Sequence, residues 1–366
     1  MSIVIIDDFS GDCAFHGEEV KEIVEHYYDG EIITIDVGSC EIDDTKAEEL
    51  ADFILNDLEQ DVTAINISFG GEETDSVKFW NDYEEEYDFF KTCFERGTYL
   101  FFPTGNTEAW ETINYDGVSI LASSPFVIST SAVEISDNKI EIPSWSEYDE
   151  NIVDCFMEGI SLNGDLGTSF SSPRACAFYA NLLEDGFTFA QVEAVYKIYS
   201  EPVKGNDNNW YWYLDLDKVP ENITVNTDDT KLLITDLYYL ICGRNPDPGG
   251  LSYWTDVLKE KDRDKVIEAF IYEAEKNQDT DGDNVTVRAK IEAVYEFFFD
   301  RFADNSGLTY WIDKSLHNDV WGDIIVEMYY AGKQNGEEIR FEEFFDDIIV
   351  CNDTAYIEGD LHLGWI

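Results

Sequence analysis

The strongest constraint on the fold of this 366-residue chain is an alternation of two periodicities over its first 200 residues. Short, largely β-branched or aromatic runs at residues 2–6, 31–37, 63–68, 99–103 and 125–133 have the length and composition of strands. Between and after them, apolar residues recur three and four apart at residues 17–28, 45–59, 77–96, 169–184 and 189–199, as in amphipathic helices. The alternation predicts an α/β domain whose three-layer parallel sheet carries helices on both faces.

The pattern changes after residue 200. Residues 201–228 combine Pro, Gly, Asn and Asp with an aromatic cluster, which predicts a last edge strand followed by a linker. Beyond residue 230 the pattern is helical, with few strand signals. We therefore divide the chain into an α/β domain (1–205), a linker (206–228), a smaller all-α repeat domain (229–345) and a C-terminal tail (346–366).

The helical part contains an internal repeat. LYYLICGRNPDPGGLSYW, residues 237–254, aligns with VYEFFFDRFADNSGLTYW, residues 294–311. The residues shared by the two copies are Tyr238, Arg244, Asp247, Gly250, Leu251, Tyr253 and Trp254, which recur as Tyr295, Arg301, Asp304, Gly307, Leu308, Tyr310 and Trp311. A tandem unit of helix, Asp/Gly turn and second helix is predicted. We expect Tyr253, Trp254, Tyr310 and Trp311 to form its core, and an aromatic ligand site is the alternative.

The charge of the chain excludes two classes of partner. Its net charge is -56, from 79 Asp and Glu against 23 Lys and Arg, and both halves are acidic. Such a chain repels phosphate backbones and anionic lipid, so we expect neither nucleic acid nor a membrane surface as a partner. The apolar run at residues 3–6 is too short for a signal-peptide core. We expect a soluble protein, either cytoplasmic or exported by a signal-independent route.

Neither cysteines nor acidic residues indicate a cofactor. The seven cysteines show no paired spacing, which argues against a disulfide framework and a zinc site, and most are expected to be buried. DTDGDN, residues 279–284, invites a calcium interpretation, but Gly282 falls fourth and Lys290 twelfth in the loop, where an EF-hand needs Gly sixth and Glu twelfth. We therefore expect no metal or other cofactor here, with a solvated acidic turn favoured over calcium.

One histidine lies where a catalytic base could act. Acyl transfer at neutral pH needs a hydroxyl nucleophile, a base, a group that orients the base, and donors for the developing negative charge. His16 immediately precedes Gly17 at the start of a predicted helix, nine positions after Asp7. Asp7 follows the first predicted strand, at the carboxyl edge where open α/β sheets place their sites. We expect Asp7 to orient His16, with Asp8 as the alternative.

The nucleophile and the donor have their own local signals. Ser169 in GTSFSSPRACA opens a predicted helix, whose N-terminal dipole favours a developing oxyanion. Pro173 fits the first turn of that helix, where only an orphan N–H is lost. Asn106 in PTGN follows the strand at 99–103, so its amide can face the oxyanion, although such an Asn is often only a turn residue.

Five segments occur in an order that matches a known family. IVIIDD, HGEEV, INISFGG, FFPTGN and GTSFSSPRACA resemble the motifs of the subtilisin-like serine proteases, or subtilases, over about residues 1–200. The resemblance implies a serine endopeptidase in which Asp7 orients His16, His16 is the general base and Ser169 is the nucleophile. It also implies an oxyanion hole formed by Asn106 and the backbone N–H of Ser169.

The same resemblance implies a protein or peptide substrate whose extended backbone pairs with Ser68, Phe69 and Gly70. GRNPDPGGLSYW is similar to the signature of a helical domain of unknown function found in tandem in bacterial and phage proteins. That similarity supplies no reaction, and we expect the repeats to bind a protein partner. The alternative for the whole chain is a catalytically inactive protease fold that serves as a scaffold.

Overall fold

The computed structural model describes residues 2–39, 44–58, 62–68, 73–74, 84–107, 118–136, 139–149, 151–280, 284–316 and 321–352. Contacts divide the chain into two compact units. The first comprises Met1–Val225 with Asp304–Thr309, and the second comprises Asn226–Ala303 with Tyr310–Ile366. Each unit is described by itself below.

The strands of the first unit are β1 (Ser2–Asp7), β2 (Glu31–Asp36), β3 (Val62–Ile67), β4 (Glu73–Thr74), β5 (Tyr99–Pro103), β6 (Val118–Ser119), β7 (Ile128–Ser136), β8 (Lys139–Glu141), β9 (Cys155–Glu158), β10 (Glu201–Lys204) and β11 (Trp210–Tyr213). Within the described residues, nine of them form one sheet in the order β10-β11-β9-β7-β5-β3-β1-β2, with β8 paired to β7. The pairs from β11 to β2 are parallel, whereas β10–β11 and β7–β8 are antiparallel. The predicted, largely parallel α/β sheet is confirmed.

Helices cover both faces of the sheet. The first unit contains α1 (Ala14–Tyr27), α2 (Asp44–Asp52), α3 (Glu84–Glu95), α4 (Ser172–Glu184) and α5 (Phe189–Tyr199). Successive side chains of β5 point to opposite faces. Phe101 packs its ring against Tyr179 of α4, and Phe102 packs against Phe90 of α3. The helices α4 and α3 therefore lie on opposite faces, as the three-layer prediction requires.

The aromatic cluster after residue 200 belongs to the sheet. Tyr211 and Tyr213 of β11 are buried with Tyr148, Val133 and Phe156 in one apolar cluster. The Tyr211 ring lies 4.9 Å from the ring of Phe156 on the neighbouring strand β9. The aromatic residues of this segment thus close the core at one edge of the sheet.

The boundary between the units differs from the division made on sequence. The first unit continues to Val225, so β11 lies within the range 206–228 predicted as a linker. Aromatic side chains outweigh the Pro, Gly and Asn signals of this segment because they are buried against β9. The assignment of functions to the domains stays a prediction.

The region after residue 229 is helical. Its helices are α6 (Thr230–Leu237), α7 (Pro248–Glu260), α8 (Arg263–Asn277), α9 (Val287–Phe298), α10 (Asn305–Ser315), α11 (Trp321–Gln334) and α12 (Phe345–Asn352), and α6 continues as a π-helical turn to Cys242. No strand is found in the part of this region that the structure describes. Nor is any helix among the described residues long and apolar enough to cross a bilayer.

The residues shared by the two repeats make the same contacts in both. Arg244 stacks on the ring of Tyr238 at 4.9 Å and pairs with Asp279, with Nε 2.9 Å from Oδ1. In the second copy, Arg301 stacks on Tyr295 at 4.6 Å and its Nε lies 3.0 Å from Oε2 of Glu337. Each repeat thus uses a planar guanidinium to join an aromatic face to a carboxylate.

The turn of each repeat is also built alike. Asp247 accepts a hydrogen bond from the backbone N–H of Gly250 at 2.9 Å, and Asp304 accepts one from Gly307 at 2.9 Å. These aspartates cap the helices that follow them. The recurrence of Asp and Gly in the sequence therefore reflects a repeated helix cap.

The prediction about the repeat aromatics is half wrong. Trp254 and Trp311 are buried, with 9% and 7% of their surface exposed. Tyr253 and Tyr310 are 60% and 57% exposed, so they do not form the core. Because neighbouring residues on a helix point about 100° apart, only one of the two aromatics faces inward.

The acidic segment and one cysteine differ from the sequence predictions. The Asp279 carboxylate accepts two hydrogen bonds from Arg244, while residues 281–283 lie outside the described residues. Cys93, Cys155, Cys176, Cys242 and Cys351 are free and buried, as expected. Cys13 is disulfide bonded, so the sequence argument against disulfides is wrong at this position.

We expect Gly250→Ala to destabilise the repeat. A Cβ at this position would lie 2.1 Å from the Tyr238 hydroxyl, so the free energy of unfolding should fall by about 1–3 kcal/mol. Urea unfolding measures the effect, and Gly249→Ala, whose Cβ meets only a flexible side chain at 3.2 Å, is the control. In a Tyr238→Phe background the cost should shrink. Equal costs for the two glycines would contradict this packing.

Candidate active site

Three adjacent strands bring polar residues to one edge of the sheet. The strands β1, β3 and β5 are parallel neighbours, so their carboxyl ends meet at the same edge. Asp7 is the last residue of β1, Ser68 follows the end of β3, and Asn106 lies three residues after β5. The predicted site residues from three separate motifs therefore share one edge, where open parallel sheets place their sites.

Asp7 and His16 are in direct contact. Nδ1 of His16 lies 3.0 Å from Oδ1 of Asp7, and Asp7 is buried. Asp8, the alternative partner, instead binds the backbone N–H groups of Ser10, Gly11 and Cys13 at 2.6–3.1 Å. Of the two adjacent carboxylates, one contacts the imidazole and the other holds the loop that leads to it.

Glycine at position 17 allows this contact. His16 lies in the first turn of α1, and a Cβ on Gly17 would come within 2.4 Å of the carbonyl oxygen of Asp8. Any larger residue would move the start of α1 away from the end of β1. The His-Gly pair in the sequence thus reflects a close approach of helix to strand.

The environment of His16 favours its protonated form. Burial alone lowers the pKa of the imidazole, but the hydrogen bond to Asp7 and the negative charges of Asp7, Glu19 and Asp8 together raise it above its ordinary value. Because the Asp7 carboxylate faces Nδ1, the proton of the neutral imidazole belongs on Nδ1. Nε2 is then left as the proton acceptor.

Ser169 lies in a tight turn before α4. Residues Thr168–Phe170 form a 3-10 helix, and α4 begins at Ser172 with Pro173 in its first turn. The Phe170 carbonyl, directly after Ser169, accepts a hydrogen bond of 2.6 Å from the buried guanidinium of Arg174. The turn is therefore stabilised by a residue of the helix that follows it.

Hydrogen bonds join the Ser169 turn to β3. Oγ of Ser68 donates to the Ser169 carbonyl at 3.1 Å, and Oγ of Ser169 donates to the Ser68 carbonyl at 3.4 Å. Behind them, the buried Asn66 donates to Ser68 Oγ and accepts from Ser172 Oγ, both at 2.8 Å. Sequence reasoning missed Asn66, although a polar residue inside an otherwise apolar strand is a recognisable signal.

The amide of Asn106 is oriented by the residue before the predicted nucleophile. Its Oδ1 accepts hydrogen bonds from the backbone N–H of Thr168 at 2.9 Å and from the Thr168 hydroxyl at 3.2 Å. Nδ2 is consequently turned away, and it donates to none of the described residues. The backbone N–H of Ser169 also has no acceptor among them. Two donors are thus left uncommitted around one turn.

Glu19 is a second residue that sequence reasoning did not place in the site. It lies one turn after His16 and is buried, and its Oε1 accepts from Ser161 Oγ at 3.1 Å and from Asn163 Nδ2 at 3.0 Å. Its Oε2 is buried without a hydrogen-bond partner in the described structure. Glu19 thereby fastens α1 to the loop between β9 and Ser169.

One link of the predicted arrangement is absent from the described contacts. The ring of His16 lies 5.6 Å from the ring of Phe170, next to Ser169, but no hydrogen bond joins His16 to the Ser169 hydroxyl. Catalytic hydrogen bonds are often open until substrate binds. Phe69 and Gly70, predicted to bind substrate, lie outside the described residues.

Comparison with known proteins yields a distant likeness to solved structures. No protein-family model matches the chain, and no curated protein matches it. Among solved structures, the chain is similar to the crystal structure of a lanthipeptide protease, with a TM-score of 0.43 and 13% sequence identity over 55% of this chain and 80% of that chain. At this distance, function has to be derived from the contacts of the site itself.

We expect Glu19→Gln to lower the pKa of His16. The substitution removes one of three negative charges near the imidazole, while the amide oxygen still accepts from Ser161. NMR titration of the imidazole protons measures the pKa, and loss of the signal in His16→Gln assigns it. Glu22→Gln, an exposed position on the same helix, is the control. An unchanged pKa in Glu19→Gln would show that its charge does not reach His16.

Proposed function

We propose that the protein is a subtilisin-like serine endopeptidase in which Asp7, His16 and Ser169 form the catalytic triad. The observation that carries this proposal is the 3.0 Å hydrogen bond between Asp7 and His16, at the sheet edge that also holds the Ser169 turn. The contact fixes the imidazole with Nε2 as the acceptor, as a general base requires. The order of the motifs along the sequence supports the same assignment.

These residues account for each proton and each bond that changes in the acylation step. Ser169 Oγ breaks its long contact with Ser68 and donates to Nε2 of His16, which takes the proton as Oγ attacks the peptide carbonyl carbon. A C–O bond forms, the C–N bond breaks, and His16 returns the proton to the leaving amine. Water then repeats the sequence on the acyl-enzyme, which regenerates the Ser169 hydroxyl.

Asn106 and the Ser169 backbone supply the oxyanion hole in this proposal. Asn106 Nδ2 and the Ser169 N–H are donors with no acceptor among the described residues, and Thr168 sets the orientation of the amide. Donors fixed in advance stabilise the tetrahedral intermediate without reorganising. The substrate is a protein or peptide whose backbone binds along Ser68, Phe69 and Gly70.

We assign this activity to residues 1–205 and an interaction role to the repeats at 229–345. The tyrosines Tyr253 and Tyr310 support the second assignment, since they occupy equivalent places in the two repeats and are both more than half exposed. Exposed tyrosines are enriched at binding surfaces because their rings are large and lose little entropy on binding. The expected partner is a protein.

A fluorophosphonate probe tests the nucleophile. We expect the wild-type protein to be labelled and Ser169→Ala not to be, because the probe needs an activated serine hydroxyl. Ser171→Ala is the matched control in the same segment, since its hydroxyl donates to the Thr168 carbonyl and should not react. Circular dichroism verifies that each variant is folded. Folded protein without Ser169-dependent labelling would support the inactive scaffold instead.

Asn106→Asp tests the oxyanion donor. The aspartate keeps an oxygen for the Thr168 N–H but replaces the amide donor with a negative charge, so kcat should fall by about 10²–10³-fold. Hydrolysis of a chromogenic peptide measures kcat and KM. Asn206→Asp, at an exposed position in the β10–β11 turn, adds the same charge away from the site. A kcat equal to that of this control would remove Asn106 from the mechanism.

A further inference from the structure

Three large apolar side chains are exposed on the segments that carry the base and lead to the nucleophile. Phe15, next to His16, is 66% exposed, and Leu162 and Leu166, in the loop between β9 and Ser169, are 50% and 52% exposed. Most apolar residues of this size in the unit are buried. Exposed apolar residues on segments that flank a reactive centre are available to a substrate, whereas single ones elsewhere on the surface need no explanation.

The two segments are held side by side. Glu19 of α1 accepts hydrogen bonds from Ser161 and Asn163, the residues on either side of Leu162. At the other end of the loop, Leu166 pairs with Ile160 in a β-bridge, and the Gly167 N–H donates to the Gly159 carbonyl at 3.0 Å. The loop is therefore folded back on itself and fastened to the helix that carries His16.

The charges of these segments have one sign. Residues 7–19 and 158–170 contain Asp and Glu but neither Lys nor Arg. Asp12, Glu18 and Asp165 are exposed on them. The nearby Arg174 is buried, donates to the Phe170 carbonyl and pairs with Glu158 at 3.7 Å, so it does not face the exposed carboxylates. A peptide that binds here meets exposed apolar side chains among the exposed negative charges of Asp12, Glu18 and Asp165, so a cationic peptide is favoured.

The proposed mechanism indicates whether this surface contacts the residues before or after the scissile bond. The general base returns its proton to the leaving amine, so the amine must lie beside His16. The loop with Leu162 and Leu166 is fastened to Glu19, one turn after His16, and leads directly into the Ser169 turn. The residues that follow the scissile bond are therefore the ones that this surface contacts.

We propose that the site selects peptides that carry an apolar residue and a Lys or Arg directly after the scissile bond. This inference rests on the proposed endopeptidase function and specifies its substrate class. Leu162 and Leu166 bind the apolar side chain, while Asp12, Glu18 and Asp165 attract the cation. The acidity of the chain thereby contributes to the choice of substrate.

Quenched fluorescent peptides of one length test the proposal on the full chain. The residues after the scissile bond are Leu-Lys, Leu-Glu, Gly-Lys or Gly-Glu, and a second set places the same pairs before the bond. We expect kcat/KM to be at least tenfold higher for Leu-Lys than for Gly-Glu after the bond, which is the scale of discrimination by one apolar side chain. The preference for Lys over Glu should shrink in about 0.5 M NaCl, because salt screens exposed charges.

Substitutions test whether Leu162 and Leu166 cause the preference for an apolar residue. Leu162→Ser with Leu166→Ser should reduce the Leu-over-Gly preference about tenfold. Ile135→Ser, an exposed apolar residue at the end of β7, should leave that preference unchanged. Circular dichroism checks folding, and the wild-type peptide series decides the question even where a variant is unstable.

The outcomes separate this inference from the function on which it rests. Fluorophosphonate labelling of Ser169 together with equal cleavage of all peptides, or a preference expressed only before the bond, would overturn the inference and leave the endopeptidase in place. Absence of both labelling and cleavage would overturn the two together. Selective cleavage of Leu-Lys after the bond, lost in the double variant, supports the proposal.

Discussion

The arrangement of the candidate site depends on the hydrogen bond between Asp7 and His16. It requires the N-terminus of α1 to lie against the carboxyl end of β1, which Gly17 permits because no Cβ separates the helix from Asp8. The parallel order of β1, β3 and β5 then adds Ser68 and Asn106 at the same edge. The site thus depends on one local contact between α1 and β1 and on the parallel order of the strands in the sheet.

Much of this could be predicted because the signals are local. The strand at Tyr99–Pro103 and the helix at Phe189–Tyr199 have the predicted bounds, since apolar periodicity and flanking turn residues agree there. Asp7 and His16 are close in sequence, so a short loop limits their separation. The helical region after residue 229 was predictable from its periodicity for the same reason.

The remainder depends on contacts between residues far apart in sequence. Glu19 binds the loop at Ser161, and Asn66 binds Ser172, and no local pattern gives either pairing. The strand β11 lies in the range predicted as a linker. Its burial depends on Tyr148 and Phe156, which are distant along the chain, so no local pattern indicates it. The exposure of Tyr253 and Tyr310 likewise depends on which side of each helix faces the core. Two adjacent aromatic residues do not indicate that side from the sequence.

The bond from the Thr168 N–H to Asn106 has a mechanical consequence. Thr168 immediately precedes Ser169, so the peptide segment that carries the hydroxyl also grips the amide opposite it. A displacement of this segment would therefore act on the amide as well as on the hydroxyl, because Thr168 is bonded to Asn106 through both its N–H and its side chain. The relative position of the two groups is thus constrained by several hydrogen bonds between Thr168 and the Gly105–Asn106 turn, of which the backbone bond is one.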